Sequence, residues 1–142
     1  MAVYGIGATF EKKDVFDSFI KDKVAFLSWT DKDAPELHKL FRHVKVGDIV
    51  YIKSYNPTTG LTIKAIGIVK DNTIDETNNN SISVGWIWEG KKDAEKEEDQ
   101  FIILEPNMDK YNVRNIAIYE EFNEVVLARV LGKIFAATNY MQ

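Results

Sequence analysis

The chain has 142 residues and a mass of 16.3 kDa, which predicts a single domain over residues 1–142 whose core needs no metal or disulfide. Hydrophobic residues at 45% and charged residues at 28% exclude wholesale disorder, and the absence of cysteine excludes disulfides, thiolate catalysis and cysteine-bound zinc. A net charge of −4 opposes broad non-specific duplex binding, and with no long apolar run and no signal-type start, a cytoplasmic protein without membrane contact is expected.

The first segment, AVYGIGATF, is β-rich, with Gly5 and Gly7 on one side of the strand and that side open to close approach by backbone or ligand. Asp14 caps a short helix over residues 14–22, whose Val15, Phe16, Phe19 and Ile20 form one apolar stripe. A short strand follows over residues 24–29. The clearest helical signal covers residues 33–44, with Asp33 at the cap, Pro35 in the first turn and Leu37, Leu40, Phe41 and Val44 as the buried stripe. Lys45-Val46-Gly47-Asp48 then turns into a strand over 49–55, and Asn56-Pro57-Thr58-Thr59-Gly60 returns the chain into a strand over 61–69.

Residues 71–81, with Asn78-Asn79-Asn80, read as a loop. A strand over 82–88 places Val84, Trp86 and Trp88 on one face and Gly85 and Ile87 on the other. Residues 89–100, EGKKDAEKEEDQ, carry six acids and three lysines and form an exposed acidic loop. Strands at 101–104 and 115–119 and a helix from 122 to 137 complete the chain. The expected fold is α+β: a curled, mostly antiparallel sheet or partial barrel of five or six strands with flanking helices.

Little in the sequence compels an enzyme. His38 and His43 lie five apart on one helix, exposed or half-exposed, and do not face each other as a metal pair would. No metal site, cofactor or phosphate-binding glycine loop is expected, although acid–base work by Asp48 or Glu89 stays open. The three tryptophans say more. Trp86 is expected in the core, whereas Trp29 and Trp88, each at a strand end, divide evenly between packing and stacking on a base. From residue 36 to 70, six Lys/Arg stand against two Asp/Glu, a local +4 that leaves −8 elsewhere and offers an anion a place to sit.

Four stretches, VYGIGATFEKKDVFDSFIKDKVAFLSW, LHKLFRHVKVGDIVYIKSY, LTIKAIGIVKDN and SVGWIWEG, follow an order that resembles the EVE and YTH branch of the PUA-like superfamily over residues 2–90. Its carrying motifs are a strand ending near Trp29, the Lys-x-Gly-Asp turn at Lys45 to Asp48, Ile66-Gly67-Ile68-Val69 and Val84-Gly85-Trp86-Ile87. The resemblance implies a PUA-like fold with a pocket between sheet and first helix that holds one base, often modified, between aromatic walls. By position Trp29 is one wall. The 71–81 loop stands where YTH readers carry a second cage tryptophan, and Asn78 and its neighbours there favour an EVE-type pocket, or a different one, over a methyl-adenine cage. Ser28, Ser54, Tyr55, Trp86 and Trp88 complete the expected ligand-binding set, with Lys53, Lys64 and Arg42 on phosphates.

The leading expectation is a non-enzymatic reader of a modified or flipped base in DNA or RNA, acting with a separate effector protein. The alternatives are a binder of a free small nucleotide such as a signalling molecule, a nucleoside hydrolase built on Lys53, Thr62 and Asp48, and a protein-interaction domain whose aromatics are all core.

Overall fold

The computed structural model describes residues 1–10, 13–27, 35–56, 58–72, 81–104 and 117–140. Strand β1 (Val3–Gly7) leads into a two-stranded ribbon, β2 (Thr9–Phe10) and β3 (Lys13–Asp14), then helix α1 (Phe16–Asp22) and strand β4 (Val24–Phe26). Helix α2 (Pro35–His43) precedes the long strands β5 (Ile49–Asn56), β6 (Gly60–Asp71) and β7 (Ser81–Glu89). A 3-10 turn at Glu97–Asp99, strands β8 (Ile102–Leu104) and β9 (Ile118–Glu120) and helix α3 (Glu124–Tyr140) follow.

Local chemistry sets most boundaries. Asp14 Oδ1 accepts the Phe16 N–H at 2.8 Å to start α1, and Lys23 ends it in the left-handed region at φ 57°. The cap expected at Asp33 lies outside the described residues. Gly47, at φ 93°, turns the chain from α2 toward β5. Asp48 locks that turn: its carboxylate accepts the Lys45 N–H at 2.8 Å and the Ala2 N–H at 3.0 Å, tying the entry of β1 to that of β5. Asn123 Oδ1 accepts the Val125 and Val126 N–H groups at 2.9 and 3.2 Å and caps α3. The β-branched Val126 and Val130 stay helical because both are buried, and tertiary burial outweighs their modest helix propensity.

Among the described residues, seven strands form one curled sheet, a half-barrel, in the order β4-β7-β6-β5-β1-β9, with β8 on the same edge of β6 as β7. The pairing is antiparallel except for β1 with β5, which run parallel from Val3↔Ile49 to Gly7↔Lys53. Helices cover both faces. On one side Phe19 of α1 and Phe41 of α2 pack on Ile6, Val50, Ile52 and Val84. On the other, Val126 and Val130 of α3 pack on Ile49, Tyr51, Ile63 and Ile66. Burial on two faces explains why residues 49–52 of β5 are all buried rather than alternating.

A bulge in β7 overturns the face expected for the tryptophans. The register jumps from Ile66↔Trp88 to Gly67↔Trp86, leaving Ile87 as the extra residue. Period-two alternation therefore breaks at Ile87. Trp86 packs on the α1/α2 side and Trp88 on the α3 side, so they do not share a face. At the same bulge β7 crowds Gly67, where a Cβ would lie 2.5 Å from Val84 Cγ1 and 2.8 Å from the Gly85 carbonyl oxygen. His38 also departs from expectation: it is buried, at 2% exposure, beside the α2 core stripe, while His43 is exposed.

Candidate functional site

The expected site residues divide between the two ends of the sheet. Phe26 pairs with Ser81, so the chain leading into segment 28–34 and the chain leaving segment 73–80 meet at one end of the β4–β7 pair. Ser28, Trp29 and Asn78 belong to those segments and lie outside the described residues. Arg42, exposed in the last turn of α2, and Asn72, just after β6, stand at this loop end. Lys53, Ser54, Tyr55, Lys64 and Trp88 stand at the other end, where β5 pairs with the start of β6. Trp88 is seven residues beyond Ser81, roughly 20 Å along the strand.

At the loop end, the Asn72 amide nitrogen donates to two carbonyls at the C-terminus of α2, Phe41 at 3.3 Å and Val44. Both of its hydrogens are thereby used on these two carbonyls, which sets the orientation of the amide. Among the described residues its buried Oδ1 has no hydrogen-bond partner, a state that costs about 1–3 kcal/mol where no donor is supplied. Trp86, by contrast, is committed to structure. It is half-buried, and its indole N–H donates to the Phe19 carbonyl at 2.9 Å, locking α1 onto the sheet.

The opposite end holds a buried polar cluster that the sequence reading missed. Tyr51 donates its hydroxyl hydrogen to Glu121 Oε1 at 2.6 Å, and its oxygen lies 2.9 Å from the Tyr119 hydroxyl. Glu121 Oε2 accepts the Phe122 and Asn123 N–H groups, both at 3.1 Å, ahead of α3. Burial, reinforced by the neighbouring carboxylate, pushes both tyrosine hydroxyls well above their ordinary pKa, so they act as hydrogen-bonding groups only. Gly5 makes room: a Cβ there would lie 2.7 Å from the Tyr51 ring and 3.0 Å from that of Tyr119. The side left open by Gly5 is thus filled from within the protein.

Lys53, 9% exposed, sets its ammonium 5.2 Å from the Tyr119 ring centroid, and burial lowers its pKa to about 8. Lys64 lies 3.8 Å from Asp14 Oδ2 and 5.8 Å from each of the Phe16 and Phe101 rings. Neither lysine reaches toward the loop end. Ser54 is exposed and Tyr55 half-buried against the α3-side core. The hydrolase trio does not converge. Asp48 spends both oxygens on backbone N–H groups five residues before Lys53, roughly 16 Å along β5.

Trp88 borders a third feature. Its indole N–H donates to the Glu98 carbonyl at 3.3 Å, and the Lys133 ammonium donates to the same oxygen at 2.6 Å while standing 4.7 Å from the Trp88 ring centroid. Here the acidic loop is folded back: Gly90 N–H donates to the Lys64 carbonyl and Lys91 N–H to that of Asp99, both at 2.8 Å. A cleft of about 580 Å³ lies between this turn, β8 and α3, with Phe101 and Ile103 on its floor and Arg129 and Lys133 on its wall. Among the described residues no group of three or more His, Asp or Glu side chains gathers as a metal-ligand set, and no helix is long and apolar enough to cross a membrane.

The sequence matches no known family model and no curated protein.

Proposed function

We propose that the protein is a non-enzymatic binding module that accepts a single base, modified or flipped from DNA or RNA, at the loop end of the sheet. Asn72 carries this reading. A buried acceptor with its own amide hydrogens already spent is matched to an exocyclic amine of a base, and it adjoins the segment that holds Asn78. Trp29 supplies the stacking wall and Arg42 the phosphate contact. Lys53 and Lys64 leave the phosphate-binding set, since they stand at the far end of the sheet beside Tyr119 and Asp14. The observed order of strand, helix, strand, helix, Gly-Asp turn and hairpin supports the PUA-like, EVE-type assignment of this module. A separate effector protein would act on what it binds.

Titration with modified and unmodified short oligonucleotides tests this. Tryptophan fluorescence is quenched on binding, and Trp29→Ala weakens affinity by about 1–3 kcal/mol. With Arg42 making the phosphate contact, the salt dependence is shallow, near −0.7 in log–log slope per phosphate contact on a single strand. Equal affinity of Trp29→Ala and parent defeats the stacking role. Binding confined to a mono- or cyclic nucleotide transfers the site to a free ligand, and nucleoside turnover by the pure protein makes it an enzyme.

A further inference from the structure

Helix α3 is apolar on both sides. Its inner face, Val126, Val130 and their neighbours, packs on the sheet. Its outer face carries Val125, Ala128, Gly132, Phe135 and Ala136, all exposed, with Val125 at 41% and Phe135 at 61%. Phe122, 70% exposed, immediately precedes the helix. An outward helix face is ordinarily charged, as α2 shows with Glu36, Lys39, Arg42 and His43 exposed. On α3 the sole charge among the outward positions between Val125 and Ala136 is Arg129.

The outer residues are arranged symmetrically. Val125, Ala128, Gly132 and Phe135 are spaced three, four and three residues apart, the spacing of a helix-pairing seam. Val125 and Phe135 stand five residues either side of position 130, and Ala128 and Gly132 two either side. Two such helices laid antiparallel about a two-fold at that level set each Val125 against the other copy's Phe135, and each Ala128 against its Gly132. Bulky pairs close the ends, while the small central pair lets the backbones approach. A Cβ at Gly132 meets nothing within 4 Å, so the centre is open to a partner. Self-complementarity of this kind is what an isologous interface requires.

We infer that α3 is a homodimerisation surface, and that a second copy of this chain covers it through an antiparallel, two-fold helix pair. A seam of about ten residues spans roughly 15 Å and falls in the small interface class, so the dimer is weak and its population follows concentration. The two Arg129 side chains lie one residue from the two-fold level and oppose association.

Analytical ultracentrifugation over micromolar to millimolar concentrations tests this, with an apparent mass rising from one chain toward two. Gly132→Glu and Phe135→Ser, both at exposed positions, hold the protein monomeric with an unchanged far-UV spectrum, and Arg129→Gln shifts the transition to lower concentration. The chain has no cysteine, so introduced thiols are the only ones present. An equal mixture of Ala128→Cys and Gly132→Cys chains forms disulfide-linked heterodimer faster than either variant forms homodimer. Preferential homodimer from each variant alone overturns the antiparallel geometry. A monomer at every concentration overturns the proposal outright, and flotation of that monomer with lipid vesicles assigns the face to a membrane surface instead.

Discussion

The two faces of the sheet keep their polar groups in different places. Under α1 and α2 the core is mostly apolar, with Tyr4 and His38 its buried exceptions, and other polar groups work at the margins: Asp48 locks a turn, Trp86 bonds a helix carbonyl and Asn72 caps α2. Under α3, polar atoms run through the core, with Tyr51, Tyr119 and Glu121 linking three elements and Lys53 beside them. Among the described residues the first arrangement leaves one buried acceptor, Asn72 Oδ1, without a partner, whereas in the second each oxygen of Glu121 and each tyrosine hydroxyl has one. A buried polar network costs little once satisfied, so the richer cluster is the structural one and the lone acceptor is the binding candidate.

The largest expected effect breaks the α1/α2 face at its bulge. Gly67→Ala should cost on the order of 3 kcal/mol, because backbone and Val84 both crowd the new Cβ, and Gly67→Leu should abolish the folded transition in thermal unfolding. An unchanged Tm would mean that β7 does not press on β6 there.

Lys53 sharpens the contrast from the other face. Its folded pKa, about 8, lies below the ordinary 10.5, so the folded state holds fewer protons than the unfolded chain between those values. Stability therefore rises with pH through that window, and the penalty is fully present below it. Lys53→Met should stabilise the protein at pH 7 by up to about 3 kcal/mol, and the gain should fade as pH approaches 10.5. Urea unfolding of both proteins at several pH values measures it; a pH-independent difference would remove the ionisation account.

Gly5→Ala should cost about 2 kcal/mol by driving a methyl into the Tyr51–Tyr119 contact. Replacing Tyr51 by leucine should make the same substitution much cheaper, and a double-mutant cycle on urea midpoints reads the coupling. The smallest effects separate the two tryptophans. Trp86→Phe should cost about 1 kcal/mol through its lost bond to the Phe19 carbonyl, and Trp88→Phe only some tenths, its N–H and cation contacts being at the surface. Equal losses would put both rings on one face after all.

Much of the fold was legible in the chain because its signals are local. The stripe of Val15, Phe16, Phe19 and Ile20 gives α1, Asp14 at the end of β3 binds its first N–H although Val15 holds the cap position, and the Gly60 turn joins β5 to β6, all within a few residues of one another. The α+β class and the curled sheet followed from those elements in order. The site was less legible. Trp86 and Trp88 share a face in an ideal strand, and only the pairing of Gly67 with Trp86, between residues 19 apart, inserts the bulge that separates them.

Composition and periodicity are set by near neighbours, so the sequence alone determined the main helices and long strands and the apolar stripe of α1, but not the β2–β3 ribbon or the burial of His38. Tertiary structure decided what no local pattern encodes. It made β1 parallel to β5, gathered Tyr51, Tyr119 and Glu121 from across 70 residues, and drew the Lys53 pKa down by removing its solvent. It also parted Lys53 and Lys64 from the loop end, because a pairing register converts sequence separation into distance along a strand, and that register exists only once remote strands have met.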